Sequence, residues 1–401
     1  MPGFSDRAIG RRPDGANQGG HDVPPMTIEE RFRKAMLRAA QRSAGGAKIR
    51  SLPVLLHDDV PTFMEAPHHR DVKTSDVVVV GVPYESIRAQ DPRNFVLAGY
   101  PLQETIYAKE GAFEAPDEIR RHSLHYSLAH GPGAYYPERD REFHIGEAVS
   151  ICDAGNVPID MSRPAEEILL GASDRILELI QPDRVPIILG GEDIVPYVGV
   201  RAVARQRKAK IAVIKFDQHF DLCWEPRYWA GSAWARCMED GYLQPENLAI
   251  VGIRGLRNPT FFHEVARELG VPFWTLTDID RRGIEACMME AIAQVTKDVD
   301  YVYISFDTDV MDTACMPGQK YPEPAGMTAR EILHALRLII DHGPPLCGFD
   351  IDCLAPRYDP TGIGTHLAAR CVLEVIASHG YRRQQARAAA AAKPARGPLA
   401  R

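Results

Sequence analysis

Short apolar runs alternate with amphipathic stretches along most of the chain. From residue 76 onward, β-branched runs such as DVVVVG, IAVIKF and YVYISF end in Gly or in acidic residues, which is typical of buried strands. Between them, stretches such as VGVRAVARQR and TAREILHALRLIIDHG have helical periodicity. Buried strands that alternate with helices predict a three-layer α/β/α domain with a mainly parallel sheet. We assign residues 76–381 to this domain.

The two ends of the chain have a different pattern. Residues 1–26 are rich in Gly, Pro, Asp and Arg, which predicts a disordered arm. Residues 27–75 form an extension, in which Thr27 and Glu30 have the spacing of a capping box and begin a helix. This helix either packs on its own domain or contacts another subunit. Residues 382–401 contain six Arg or Lys and no acid, which favours a basic disordered tail over a frayed helix.

Composition excludes several classes of protein. The formal net charge of −7 argues against a general nucleic-acid binder, because phosphate binding requires a basic surface. The eight cysteines form no CxxC pair, a pattern that fits free thiols in a reducing compartment. The N-terminus has no apolar signal region, and no apolar run approaches the roughly 20 residues that span a bilayer. We therefore predict a soluble cytoplasmic protein that binds neither nucleic acid nor membrane.

Acidic residues and a histidine follow two of the predicted strands. Side chains two apart on extended backbone share a face, so FDQHFD directs Asp217, His219 and Asp221 to one side. SFDTD does the same with Asp307 and Asp309. Ligands of open α/β sheets collect beyond the carboxyl ends of strands, so the two groups are expected to share one crevice. Each motif alone could be structural, but together they predict a site for Mn²⁺, Ni²⁺ or Zn²⁺, with two ions holding a hydroxide.

The order of these motifs resembles that of the ureohydrolase family of arginases and agmatinases, over roughly residues 76–380. The resemblance rests on GVPYES, GAFEAPDEIRR, GGEDI, DQHFD, the segment SFDTDVMDTACMPGQKYPEPAGMT and GFDIDCLAPRYDPTG. It implies an arginase-like three-layer fold, often trimeric or hexameric. It also implies two divalent ions, usually Mn²⁺, whose bound hydroxide attacks a guanidinium carbon.

The resemblance transfers the family's metal ligands unevenly. Asp217, His219, Asp221, Asp307 and Asp309 occupy five of the six ligand positions. The sixth, a His in the family, is Asp193 here. An aspartate can bind a metal, but its shorter side chain and added negative charge change both reach and charge balance. A retained ion with altered affinity and the loss of one ion both stay open, as does the choice between Mn²⁺ and Ni²⁺.

Two further departures concern catalysis. The resemblance places a proton-transferring His at Ala230 and a guanidinium-binding Glu at Cys353, with Asp352 expected on the opposite face of a regular strand. Alanine cannot protonate a leaving amine, and a thiol cannot form the charge-assisted contact that holds a guanidinium. His263 and His366 are the other candidates for proton transfer. The loop after DQHFD is also aromatic, which indicates either loop packing or a filled substrate pocket; its residues are Trp224, Tyr228, Trp229 and Trp234.

Three functions are compatible with this pattern. We favour a degenerate subunit that keeps the fold and assembles with a paralogous catalytic chain, as in hetero-oligomeric guanidino hydrolases that include nickel-dependent metformin hydrolases. The second is an autonomous hydrolase of agmatine, guanidinobutyrate, guanidine or a biguanide, with an altered metal site. The third is a regulatory or binding protein without hydrolase activity. Metal content and urea release separate the first two.

Overall fold

The computed structural model describes residues 26–43, 55–68, 74–86, 108–126, 136–139, 143–181, 183–224 and 228–391, and only the backbone of residues 38–43. The chain divides into two compact units, residues 1–45 and 46–401. The predicted arm lies outside the described residues, except for Met26.

The first unit contains helix α1 (Ile28–Ser43), which confirms the predicted helix. The capping box is present: the Thr27 amide donates to Glu30 Oε2 at 2.8 Å, and the Glu30 amide donates to Thr27 Oγ1 at 3.2 Å. The apolar stripe of the helix, including Phe32 and Met36, is exposed. Its contact with another subunit stays a prediction.

The second unit is built on one eight-stranded sheet, preceded by a short antiparallel pair, β1 (Leu55–His57) and β2 (Val60–Pro61). All neighbouring strands of the large sheet are parallel. In chain order its strands are β3 (Val77–Gly81), β4 (Ile151–Asn156), β5 (Val185–Leu189), β6 (Ile211–Phe216), β7 (Leu248–Ile253), β8 (Phe273–Thr275), β9 (Tyr301–Asp307) and β10 (Leu346–Asp352). Across the sheet the order is β4-β3-β5-β10-β9-β6-β7-β8.

Helices cover both faces of this sheet. They are α2 (Ala115–Ser123), α3 (Ile145–Ala148), α4 (Ala165–Leu179), α5 (Val195–Arg207), α6 (Ala233–Glu239), α7 (Thr260–Leu269), α8 (Leu276–Arg282), α9 (Ile284–Val295), α10 (Ala329–His342) and α11 (Ile363–Ala391). In β3, Val77 and Val79 enter one apolar core, whereas Val78 and Val80 enter the other. This alternation buries both sides of the strand, as expected for a sheet between two helical layers. The predicted α/β/α architecture is confirmed.

The predicted start of the basic tail was wrong. Helix α11 continues through Arg382 to Ala391, so the last helix of the α/β domain extends past residue 381. The Arg382 guanidinium donates to the carbonyl oxygens of Ile340 at 2.6 Å and Gly343 at 2.9 Å. Arg382 therefore binds the carboxyl end of α10, where unpaired carbonyls favour cations. Residues 392–401 lie outside the described part.

Two findings concern the cysteines and the helices of the described residues. All eight cysteines are free thiols, in agreement with the predicted absence of a disulfide framework. Among the described residues, no helix combines the length and the apolar character that a bilayer crossing requires.

Candidate metal centre

The two acidic motifs meet at the carboxyl edge of the sheet. Strands β6 and β9 are parallel neighbours with Phe216 opposite Phe306, so Asp217 and Asp307 leave the sheet side by side. Asp217, Asp307 and Asp309 are buried. The structure therefore brings the motifs together as predicted, because equal register carries both strands to the same edge. Their role as metal ligands stays a prediction.

His219 joins the two motifs. Its Nδ1 lies 3.1 Å from Asp309 Oδ2 and 3.4 Å from Asp217 Oδ1. Burial alone would lower the pKa of His219, but Asp309 and Asp217 outweigh burial and raise it well above its ordinary value. Burial conversely raises the pKa of Asp309, and His219 more than reverses this shift. The protonated His219 imidazolium thus partly neutralises the carboxylates.

A lysine that the motifs did not reveal lies among the other carboxylates. Lys215 is the fifth residue of β6, and its fully buried side chain is directed to the same cluster as Asp217. Its Nζ lies 2.5 Å from Asp217 Oδ2 and 3.1 Å from Asp193 Oδ2, and it also forms an ion pair with Asp221. Burial would lower the pKa of Lys215, but the surrounding carboxylates raise it well above the ordinary value. Lys215 therefore carries a protonated amine at neutral pH.

This ammonium occupies the space between Asp193, Asp217 and Asp221, whose carboxylate oxygens also come close enough to one another to hold a metal ion. A protonated amine has no lone pair for a metal and repels a second cation at this distance. A metal ion does not fit here beside the ammonium. The remaining group, Asp217, His219 and Asp309, offers oxygen and imidazole donors that Mn²⁺ and Ni²⁺ accept, so one ion fits there.

The end of β10 carries a second departure from expectation. Asp352 and Cys353 both lie close to Asp307, with candidate ligand atoms within 4.8 Å of one another. The expectation that Asp352 points to the opposite face was wrong, because Cys353 has φ of 57° and the strand ends there. Burial, followed by the charge of Asp307, raises the pKa of the Cys353 thiol well above its ordinary value. This position therefore offers a neutral thiol and not a carboxylate.

A second buried lysine holds the neighbouring loops together. Lys320 Nζ lies 2.8 Å from Glu85 Oε1 and 3.3 Å from Glu192 Oε2, and the Lys320 side chain is 1% exposed. Its backbone amide donates to the carbonyl of Cys353 at 2.7 Å. Burial lowers the pKa of Lys320, but Glu192 and Glu85 more than compensate and raise it. Three loops at the sheet edge are thus tied to the segment that contains Cys353.

A small cavity of about 40 Å³ lies in front of His219 and Asp221. Ala230 lines it together with Trp229 and Tyr321, and also Phe220, Gly231, Arg257, Asn258, Pro259 and Phe262. This volume exceeds the roughly 10–15 Å³ that one water needs, and it holds only a few waters. The described residues therefore form a narrow approach to the carboxylates.

The other aromatic residues of this loop have separate surroundings. Trp234 is buried, and its ring lies 5.3 Å from Lys215 Nζ. Tyr228 contacts the ring of Tyr197, whereas Trp224 is 70% exposed. The packing interpretation therefore holds for Trp234 and Tyr228. Trp229 lines the cavity, and its role in filling a substrate pocket stays a prediction.

The two alternative proton-transfer candidates lie in other surroundings. The His263 ring contacts Phe220 and Phe273. His366 lies beside Tyr126 and His125. Neither belongs to the groups of potential ligands formed by the carboxylates. Among the described residues, neither histidine lines the cavity beside Ala230, and their role in proton transfer stays a prediction.

Comparison with known proteins now adds to this geometry. The arginase family matches residues 93–377 of the chain. The chain belongs to the arginase family. It is 28% identical to proclavaminate amidinohydrolase of Streptomyces clavuligerus over 326 residues, which cover 79% of this chain and 92% of that protein. It is 27% identical to guanidinopropionase of Pseudomonas aeruginosa over 330 residues, with coverage of 79% and 91%.

Solved structures agree with this assignment. The structure of the Streptomyces clavuligerus amidinohydrolase matches with a TM-score of 0.66 at 27% identity, and covers 81% of this arginase-family chain and 98% of that one. A Trypanosoma cruzi formiminoglutamase with Mn²⁺ matches with a TM-score of 0.66, covering 80% and 99%. Its identity of 18% shows the fold alone. The ureohydrolase resemblance of the sequence is confirmed at the level of family and fold.

Proposed function

We propose that this arginase-family chain is a non-hydrolysing subunit of a metal-dependent hydrolase. A paralogous chain would cleave the C–N bond of a guanidino or biguanide compound and release urea. The single observation that carries this proposal is the Lys215 ammonium, which contacts the carboxylates of Asp193, Asp217 and Asp221. A second metal ion at that position is incompatible with the ammonium.

The reason is chemical. An ammonium supplies one positive charge to the carboxylates, but it cannot coordinate and activate a water. Two-metal hydrolysis depends on such a water, held by both ions. Ala230 lines the cavity and offers no proton to a leaving amine, and the neutral thiol of Cys353 offers no charge to a guanidinium. These three features act in the same direction and support a chain without turnover of its own.

The first test uses the purified, tag-free chain alone. We expect at most one Mn²⁺ per chain by elemental analysis, with Mn²⁺ as the only divalent ion supplied. We also expect no urea from a panel of agmatine, guanidinobutyrate, guanidine and metformin. A complete family member measured in the same assay is the control for substrate quality and metal loading. Robust turnover with two ions per chain would refute the proposal.

The second test concerns the partner. Co-expression with a paralogue that carries all six metal ligands should yield one complex on size exclusion, and higher or altered urea release than the paralogue alone. The exposed apolar side chains of α1, Ile28, Phe32 and Met36, support an extension that contacts a neighbouring subunit in a trimer or hexamer. Deletion of residues 27–43 should then weaken the complex. Elution of two separate proteins would contradict the assembly.

A second candidate function is an autonomous hydrolase with one metal ion. The retained group of Asp217, His219 and Asp309 favours it, because these side chains suit a single divalent cation. Turnover by the chain alone with one ion per chain, lost on Asp309→Asn, would support this alternative.

A further inference from the structure

Three histidines form a separate group that the carboxylate site does not use. His122, His125 and His366 each have a ring nitrogen within 4.8 Å of those of the other two. His122 belongs to the last turn of α2, and His125 follows in the turn of residues 124–126. His366 lies in the first turn of α11. Two different helices therefore contribute imidazoles to one place.

The local backbone allows the His122 and His366 side chains to lie close together. His122 and His125 are three residues apart, a spacing that places side chains on the same side of a helical segment. Gly362, which has φ of +68°, precedes His366, and a Cβ added to it would lie 2.4 Å from the His122 ring. The His366 amide donates to the Gly362 carbonyl at 2.8 Å. A side chain at residue 362 would thus displace the His122 ring from His366.

The hydrogen bonds of the rings leave nitrogen atoms available. Tyr126 Oη lies 2.6 Å from His366 Nε2, which orients that imidazole. The buried Nδ1 of His122 has no hydrogen-bond partner among the described residues. A buried ring nitrogen without a partner is costly unless a ligand satisfies it. Hydrogen-bonded partners such as Tyr126 are typical of the surroundings of metal-binding histidines.

We propose that His122, His125 and His366 bind one transition-metal ion of the Zn²⁺, Ni²⁺ or Cu²⁺ class. Imidazole nitrogens suit these ions, whereas Mn²⁺ and Mg²⁺ prefer oxygen ligands. In a tetrahedral site with Zn–N bonds of about 2.05 Å, ligand nitrogens lie about 3.4 Å apart. The ring nitrogens, which lie within 4.8 Å of one another, would therefore approach by at most about 1.4 Å, a shift that side-chain rotation allows. His125 is exposed, so the fourth position is accessible to water.

Such an ion would connect the end of α2 to the start of α11. It would also be chemically distinct from an ion at the carboxylates, because its ligands are nitrogen atoms only. The proposal does not depend on whether the chain turns over a substrate. A binding measurement therefore tests it without an activity assay.

The test is a titration of the tag-free chain with Co²⁺ and Zn²⁺. We expect one Co²⁺ per chain with the visible absorption of a tetrahedral nitrogen site, displaced by Zn²⁺ and not by Mn²⁺. His125→Ala and His366→Ala should each weaken binding by about a hundredfold, and Tyr126→Phe by about tenfold. His342→Ala, at an exposed histidine outside the group, and Asp309→Asn are controls that should leave the spectrum unchanged.

Thermal unfolding gives a second readout. Zn²⁺ should raise the Tm of the wild type and of His342→Ala by more than that of His125→Ala, a variant at an exposed side chain. The proposal is overturned if the wild type shows no tetrahedral Co²⁺ band. It is also overturned if His125→Ala binds Zn²⁺ as tightly as the wild type does.

Discussion

Replacement of Lys215 by methionine is the sharpest test of the carboxylate site. Methionine keeps most of the length of the buried side chain and removes only the charge. At 3.1 Å from Asp193 and an effective dielectric constant of about 20, one ammonium–carboxylate attraction amounts to about 5 kcal/mol. Desolvation of the ammonium offsets much of this, and removal of one partner from a buried ion pair costs about 3–5 kcal/mol. Without metal, the free energy of unfolding of Lys215→Met should fall by that amount.

The same substitution should create a metal site. Asp193, Asp217 and Asp221 would then face one another without a cation, and a divalent ion relieves their repulsion. We expect Lys215→Met to bind one more Mn²⁺ or Ni²⁺ per chain than the wild type. At a free metal concentration of 100 times Kd, this binding would recover about 2.7 kcal/mol. Urea denaturation with EDTA and with excess metal, at one protein concentration, measures both effects.

The control for this experiment is Lys297→Met, because Lys297 is exposed. Its unfolding free energy and metal content should match those of the wild type, with and without EDTA. The reasoning is refuted if Lys215→Met is as stable as the wild type in EDTA and binds no additional metal. If Lys215→Met is destabilised but binds no additional ion, the result would support an ion-pair role for Lys215. It would contradict the idea that the ammonium takes the place of a metal ion.

Three further predictions concern other charged and catalytic positions. The family side chains can be restored with Asp193→His, Ala230→His and Cys353→Glu. While Lys215 stays in place, this triple variant should release no detectable urea. Any gain of activity should require Lys215→Met in addition. Lys320→Met should lower the free energy of unfolding by about 3 kcal/mol in urea denaturation, because Glu85 and Glu192 lose their buried partner. Burial, with Arg383 second, lowers the pKa of His379 to about 4. The unfolded chain therefore binds the extra proton, and stability should fall by roughly 3 kcal/mol between about pH 6.5 and pH 4; in urea denaturation across that range, His379→Gln should flatten the decline.

Much of the fold followed from local pattern. The continuous β-branched run of β3 predicted a strand buried on both faces, and its valines do enter two separate cores. The capping box at Thr27 predicted the start of α1. The start of the basic tail was predicted wrongly, because composition alone does not show that the carbonyl oxygens at the end of α10 accept hydrogen bonds from Arg382. Arg382 lies 42 positions after Ile340 and 39 after Gly343 in the chain, so only the packed structure shows this contact.

The candidate site, too, could be predicted from the sequence only in part. The spacing of Asp217 and His219 predicted that they share one side of the backbone, and the order of the motifs predicted the family. One signal was present in the sequence and was not used: Lys215 interrupts the apolar run IAVIKF of a strand with both faces buried. A charged residue in such a strand requires a partner, since an isolated buried charge is very costly. Its presence predicts a buried ion pair, but not the identity of the acids.

The sequence by itself determined the order of strands and helices, the periodicity that aligns Asp217 with His219, and the absence of carboxylate at Cys353 and of imidazole at Ala230. These are properties of single residues and of spacing within one segment. Only the tertiary structure decided which charges meet. The parallel register of β6 and β9, together with the loop after β5, brings Asp193, Asp217 and Asp221 around Lys215. Electrostatic energy depends on distances of a few ångström between segments far apart in sequence, and folding alone sets those distances.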